Sequence, residues 1–478
     1  MIKYDVIKKF AAEFPDKAAI IENDTIISWG KFDKSVFYLL GNVVELEKLE
    51  KDKPVLYMSD NSSDLVLLSS VFATLGVPFQ GIDHHLPIEK LTLLIETIGV
   101  KYIFVSKYLN RDLSDLNKLC KFYEVEDFVE KSLALKKTTS LENLVCMPFS
   151  SISFTSGTTG IPKVVYRTRS FDKQRFEYLQ RTYGFNKEDI HLLCLPMHHV
   201  GTTGWARLFF GLGCTVVIGH FKNSYELCDI LHSKKITTTL MSPLMLKGIV
   251  EALESENKTT YFSQLRFLIT GGKNCSSEVK KIAISKLGSI VYEYYGTTET
   301  GINTLLSSAQ FAKHPGSVGP AFEGNEILIV DDKNKPVDTG KIGKIAIFSY
   351  MNMDKYLNAP SPFVEINGRQ YLVTVDYGYL NNENYLFVLQ RSAQPKEQVL
   401  NLYGAESDIL GLSYVSDVFI KEFFDNPKIS VNIVPKKYIP FASLRQDIEL
   451  ISKKHHLENV TINVVPHLEY TSTGKIKL

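Results

Sequence analysis

In the first part of the chain the spacing of apolar positions switches repeatedly between a strand period and a helix period. Residues 18–21 read as a strand, and a turn at Asn23-Asp24 leads into the apolar run Ile26-Ile27-Ser28-Trp29. Residues 31–40 carry apolar side chains at helical spacing, and residues 54–58 read as a buried strand. Residues 64–75 and 86–99 predict helices, with a further strand at 102–105. This alternation predicts an α/β fold. Later strands are expected at 151–154, 164–166, 191–195 and 265–270. Between Gly316 and Phe348, frequent glycines, β-branched runs such as 326–330 and a turn at 337–340 predict small antiparallel strands.

Length and composition narrow the class. At 478 residues the chain exceeds what one core usually supports, so at least two domains are expected. A net charge of +1 supplies no global field that would draw nucleic acid or an anionic membrane. The N-terminal residues lack the apolar core of a signal peptide. The uncharged stretch between Asp64 and Asp83 is broken by Ser69, Ser70, Gly76 and Pro78, which favours a buried helix and turn over a membrane span. Cys120, Cys146, Cys194, Cys214, Cys228 and Cys275 show no C-x-x-C spacing, as expected of reduced thiols in a soluble, cytoplasmic protein.

Candidate chemistry begins at Thr155-Ser156-Gly157-Thr158-Thr159-Gly160-Ile161-Pro162-Lys163. Four hydroxyls flank glycines whose bare backbone N–H groups can approach a polyphosphate, and Lys163 adds a mobile cation. The spacing differs from that of the common P-loop. A polar turn between two strands is the plainer alternative. The run resembles the phosphate-binding signature of the adenylate-forming (AMP-binding) superfamily: acyl- and aryl-CoA synthetases, peptide-synthetase adenylation domains and luciferase-like enzymes.

Further segments resemble that superfamily in order. Tyr292-Glu293-Tyr294-Tyr295-Gly296-Thr297-Thr298-Glu299 resembles its Tyr-Gly-x-Thr-Glu motif. The resemblance places residues 293–297 around the nucleotide, with Tyr295 against adenine and Gly296 permitting close approach. Thr298 would bond the α-phosphate, and Glu299 would hold Mg²⁺ as a carboxylate ligand. Gly271 and Gly272 let a flat ring approach the backbone, and Lys273 is read either as meeting a polar substrate group or as solvated. Pro196 to Trp205 loosely resembles the wall of the carboxylate-substrate pocket, with His198 and His199 as substrate candidates or hydrogen-bonded structural residues. No acid lies in that segment to pair with a substrate ammonium, which disfavours an amino acid.

Residues 371–376 resemble the Thr-Gly-Asp segment, with Val375 in place of the glycine. Asp376 would accept both ribose hydroxyls, and Arg391 matches the arginine that contacts ribose and opens the hinge. Beyond it the chain departs from the pattern, since the loop glycines are missing between Arg391 and Asn401. Near the C-terminus Thr471-Ser472-Thr473-Gly474-Lys475 resembles the closing signature, whose lysine neutralises charge in the transition state.

The resemblance implies an α/β fold: a large N-terminal domain over 1–390, with two α/β sheet subdomains and a small β-barrel-like one, and a small α+β domain over 391–478. It implies ATP-dependent activation of a carboxylic acid as an acyl-adenylate, with Lys475, Thr298 and Glu299 catalytic, then transfer to the thiol of coenzyme A. The rival acceptor is the phosphopantetheine arm of an acyl or aryl carrier protein. A non-catalytic nucleotide-binding relative is the alternative of another class. The cofactors expected are ATP, Mg²⁺ and coenzyme A; neither nucleic acid nor a membrane span is expected, and a homodimer is compatible.

Overall fold

Short buried apolar runs become strands and amphipathic runs become the helices that cover them. The computed structural model describes residues 1–43, 53–138, 148–155, 162–255, 262–392, 398–423, 428–436 and 439–470. Its contacts fall into two units. One comprises Met1–Leu240, Phe262–Arg266 and Met353–Ser361; the other comprises Met241–Tyr261, Phe267–Asn352 and Pro362–Leu478.

In the first unit Phe79–Gly81, Val55–Met58, Tyr102–Val105 and Lys121–Glu124 lie side by side in that order, all parallel. Val55–Met58 is buried throughout, as its unbroken apolar run requires. Ser63–Leu75 is the uncharged helix; the Ser62 hydroxyl caps it through Leu65 N–H, and Gly76 ends it at φ 73°. Almost every residue in it is buried, so its apolarity serves the core. Among the described residues no helix is long and apolar enough to cross a membrane.

A second parallel array joins Ala18–Glu22, Thr215–Ile218, Ile190–Leu193 and Thr238–Met241, with Thr25–Ser28 antiparallel on Ala18–Glu22. The hairpin Ser151–Thr155 with Lys163–Arg167 takes Lys355–Tyr356 as a third strand. The strand expected at 191–195 stops at Leu193, ahead of Pro196.

In the second unit Phe267–Gly271 runs parallel to Val291–Thr297, which turns back into Gly301–Ser307. Glu326–Val330, Gly343–Phe348, Arg369–Leu380, Phe363–Ile366 and Leu386–Arg391 form the expected antiparallel group. Val415–Glu422, Ile429–Pro435 and Val460–Val464 form a small sheet that packs with the helices Leu402–Leu410 and Phe441–Lys454. These elements share an apolar core that includes Ala405, Ile409, Val431, Ile433, Leu444 and Ile448.

Candidate active site

Thr155 and Lys163 face each other in register as the last strand pair of the hairpin before the segment that connects them. Ser156, Gly157, Thr158, Thr159 and Gly160, which join them, lie outside the described residues, as does Lys475. Asn358 closes the exit of the loop: its Nδ2 donates to Pro162 O at 2.9 Å and its Oδ1 accepts Val164 N–H at 2.8 Å. The Lys163 ammonium stands 5.1 Å over the Tyr356 ring, which holds it on the same side by cation–π attraction. Sequence reasoning missed both Asn358 and Tyr356, because a third strand brings them in from far along the chain.

The 196–205 segment of the first unit is fixed from two sides. Asn61 donates to Leu195 O and accepts Met197 N–H, each at 2.8 Å. Gln80 Nε2 donates to His198 O at 2.8 Å. Asp172 bridges Arg207 at 2.8 Å and Arg175 at 3.0 Å, and Arg175 donates in turn to Gly204 O at 3.2 Å. These bonds anchor the helix Val200–Gly211, which His199 precedes. Burial pushes the His198 imidazolium down to about 4, so the ring is neutral near pH 7.

The paired glycines of the second unit have distinct roles. A Cβ on Gly271 would lie 2.4 Å from Tyr294 O and 2.5 Å from its ring, so the bare backbone admits Tyr294. Gly272 has φ +78°, which favours glycine. Lys273 is partly buried, and its Nζ lies 4.7 Å from the Tyr470 ring centroid. Burial lowers its pKa, against the pull of Glu406 and Asp417. The Tyr470 hydroxyl donates to Asp417.

Glu293 also departs from its expected place at the nucleotide. Its Oε2 lies 2.6 Å from Lys280 Nζ, and both side chains are at most 5% exposed. That closed pair leaves it a structural carboxylate.

Tyr295, Asp376 and Arg391 converge in the second unit. The Tyr295 hydroxyl donates to Asp376 Oδ2 at 2.7 Å, and Arg391 NH1 stands 3.6 Å from Asp376 Oδ1. Register places Asp376 opposite Arg391 on neighbouring strands. Asp376 lies within a continuous strand rather than before a turn, and the β-branched Val375 suits that strand where the family pattern has glycine. Asp376 is 4% exposed and Arg391 is 49% exposed, so a buried acceptor faces a cation that reaches solvent. Arg391 is held above its ordinary value, first by the charge of Asp376.

Thr298 and Glu299 occupy the turn between Val291–Thr297 and Gly301–Ser307. Thr297 and Thr300 brace it with a 2.9 Å hydroxyl contact. Gly296 is obligatory there, since a Cβ would lie 2.1 Å from Gly301 O. Glu299 is buried, an oxygen donor of the type that suits a hard cation.

The chain is 28% identical over 270 residues to the fatty acid–[acyl-carrier-protein] ligase of Streptomyces coeruleorubidus, covering 53% of this chain and 50% of that protein. It is 24% identical over 379 residues to the 2-succinylbenzoate–CoA ligase of Bacillus cytotoxicus, covering 79% and 76%. In fold it is similar to the o-succinylbenzoate CoA synthetase of Bacillus subtilis in complex with its acyl-adenylate intermediate, with TM-score 0.83 at 19% identity over 98% of this chain and 96% of that one. The AMP-binding enzyme family matches residues 7–357. The phosphate hairpin, the Tyr-Gly-x-Thr-Glu turn and this match over most of the chain have one common explanation: the chain belongs to the AMP-binding enzyme family of the adenylate-forming superfamily.

Proposed function

We propose that this protein is an AMP-forming acid–thiol ligase that activates a carboxylic acid with ATP and transfers the acyl group to coenzyme A. The observation that carries this reading is the cluster of Tyr295, Asp376 and Arg391, a buried carboxylate beside an aromatic ring and a half-exposed guanidinium. Such a set suits a nucleoside, whose diol needs paired acceptors and whose base needs a flat apolar face.

An oxygen of the substrate carboxylate attacks the α-phosphorus of ATP; the new O–P bond forms as the bond to the bridging oxygen breaks and pyrophosphate leaves. Positioning and charge stabilisation account for most of the catalysis. Residues 155–160 and Lys163 hold the β- and γ-phosphates, Thr298 the α-phosphate, and Asp376 and Arg391 the ribose. Gly271, Gly272, Tyr294, Tyr295, Gly296 and Thr297 shape the adenine side. Glu299 is the residue that would hold Mg²⁺, which neutralises phosphate charge when bound. Lys475, carried by a small C-terminal domain over 391–478, stabilises charge at the reacting centre. The separate core of residues 402–457 supports that domain. A thiol then attacks the acyl carbon, and the bond to AMP breaks.

An acid without an ammonium group is favoured, because residues 196–205 hold no carboxylate to pair with one. His198 and His199 contribute hydrogen bonds at its wall, while Lys273 anchors the segment at Tyr470. Transfer to a carrier protein is the second reading, favoured by the likeness to a carrier-protein ligase. Cys120, Cys194, Cys214 and Cys275 are buried free thiols, which supports a cytoplasmic setting.

The test is ATP–pyrophosphate exchange with fatty, aromatic, dicarboxylic and amino acids, followed by coenzyme A or a holo carrier protein as acceptor. The expected result is exchange with one class of non-amino acid, abolished in Lys475→Ala. ATP binding without exchange for any acid would favour a nucleotide-binding relative instead.

A further inference from the structure

We propose that Asp83, His84 and His85 form a binding site for a divalent transition-metal ion of the zinc class. The donor atoms of Asp83, His84 and His85 all lie within 4.8 Å of one another. Tetrahedral zinc holds such ligands at about 2.0–2.2 Å, so small side-chain rotations close the set. Two imidazoles and one carboxylate suit zinc, cobalt, nickel or copper better than magnesium or calcium.

The backbone holds these groups in place without any ion. Asp83 Oδ1 accepts the His85 backbone N–H at 2.9 Å and lies 3.1 Å from its Nδ1. The His84 and His85 ring centroids are 4.1 Å apart. The Arg111 guanidinium donates to the carbonyl oxygens of His84 and Leu86, which fixes the turn that carries both rings. The ring of His84 makes no hydrogen bond among the described residues and is half-buried.

His198, in a different loop of the same unit, packs against Gly81, the last residue of the strand that leads into this turn. Its approach depends on Gly81, where a Cβ would stand 2.5 Å from the Cβ of His198. Gln80 holds the same loop by its bond to His198 O.

The experiment titrates Co²⁺ into full-length, chelator-treated protein in excess Mg²⁺ and follows visible d–d absorption. We expect one saturable equivalent, displaced by Zn²⁺. Asp83→Asn/His84→Ala/His85→Ala should lose it, and His84→Gln should weaken it at least tenfold. His467→Ala, an exposed histidine elsewhere, should leave it unchanged. Thermal melts verify that each variant is folded. Absence of saturable binding, or equal binding by the folded triple variant, overturns the proposal.

Discussion

Two buried carboxylates of the second unit face opposite fates. Glu293 is closed against Lys280 at 2.6 Å, with neither partner reaching water. Asp376 meets the Tyr295 hydroxyl at 2.7 Å, and its cation stands back at 3.6 Å with half its side chain in solvent. The first pair is complete without a ligand. The second retains acceptor capacity and a guanidinium free to move. A buried acid next to a family motif is therefore assigned by its partners, and proximity in sequence misassigns Glu293.

The largest effect should come from breaking the closed pair. Lys280→Met leaves Glu293 buried without its cation and should cost about 3–5 kcal/mol of stability, read by urea unfolding. Adding Glu293→Leu should recover most of that loss, since an apolar pair no longer demands solvation. Equal destabilisation of the single and double variants would mean that Lys280 acts through its packing over Phe311 instead.

Asp376→Asn should give the opposite profile. Asparagine keeps an oxygen for the Tyr295 hydroxyl, so stability should change by no more than about 1 kcal/mol. Loss of charged hydrogen bonds, about 1.5–3 kcal/mol, should raise the KM for ATP in pyrophosphate exchange roughly ten- to a hundredfold. An unchanged KM would remove Asp376 from nucleotide binding.

The same contrast shows what was legible in the sequence. Strand and helix periods and turn glycines are local, so the α/β alternation and the antiparallel group after Gly316 follow from short stretches, whereas the contact of Tyr295 with Asp376 joins positions far apart in the chain. Lys280 was not readable as the partner of Glu293, because the helix Ser277–Leu287 must first pack beside the strand. Asn358 escaped for a similar reason, reaching Pro162 across 196 positions. Val375 looked like a defect in a motif; in the structure it is a strand residue. Lys273 had two sequence readings, substrate or solvent, and its neighbours Tyr470, Glu406 and Asp417 are all distant in sequence.

Glu406 gives the smallest and most specific effect. Its Oε1 accepts Ile420 N–H at 3.0 Å and its Oε2 faces Asn274 Nδ2 at 3.2 Å, yet burial outweighs those bonds and raises the carboxyl to about 7. In the unfolded chain the group titrates near 4.5. Between those values the folded state holds a proton that the unfolded state has released, so stability falls as pH rises from about 4.5 to about 7 and then levels. Below 4.5 both states are protonated and the contribution is constant. The expected loss across this window is roughly 2 kcal/mol, discounted for partial exposure. Glu406→Gln keeps an acceptor for Ile420 but cannot ionise, and should flatten that part of the stability profile measured by urea unfolding at several pH values. Asp376 and Glu293 lie outside the substitution and serve as internal references. A variant that retains the full slope would assign it to another group; one that loses it identifies Glu406 as a neutral anchor at low pH and a strained anion above neutrality.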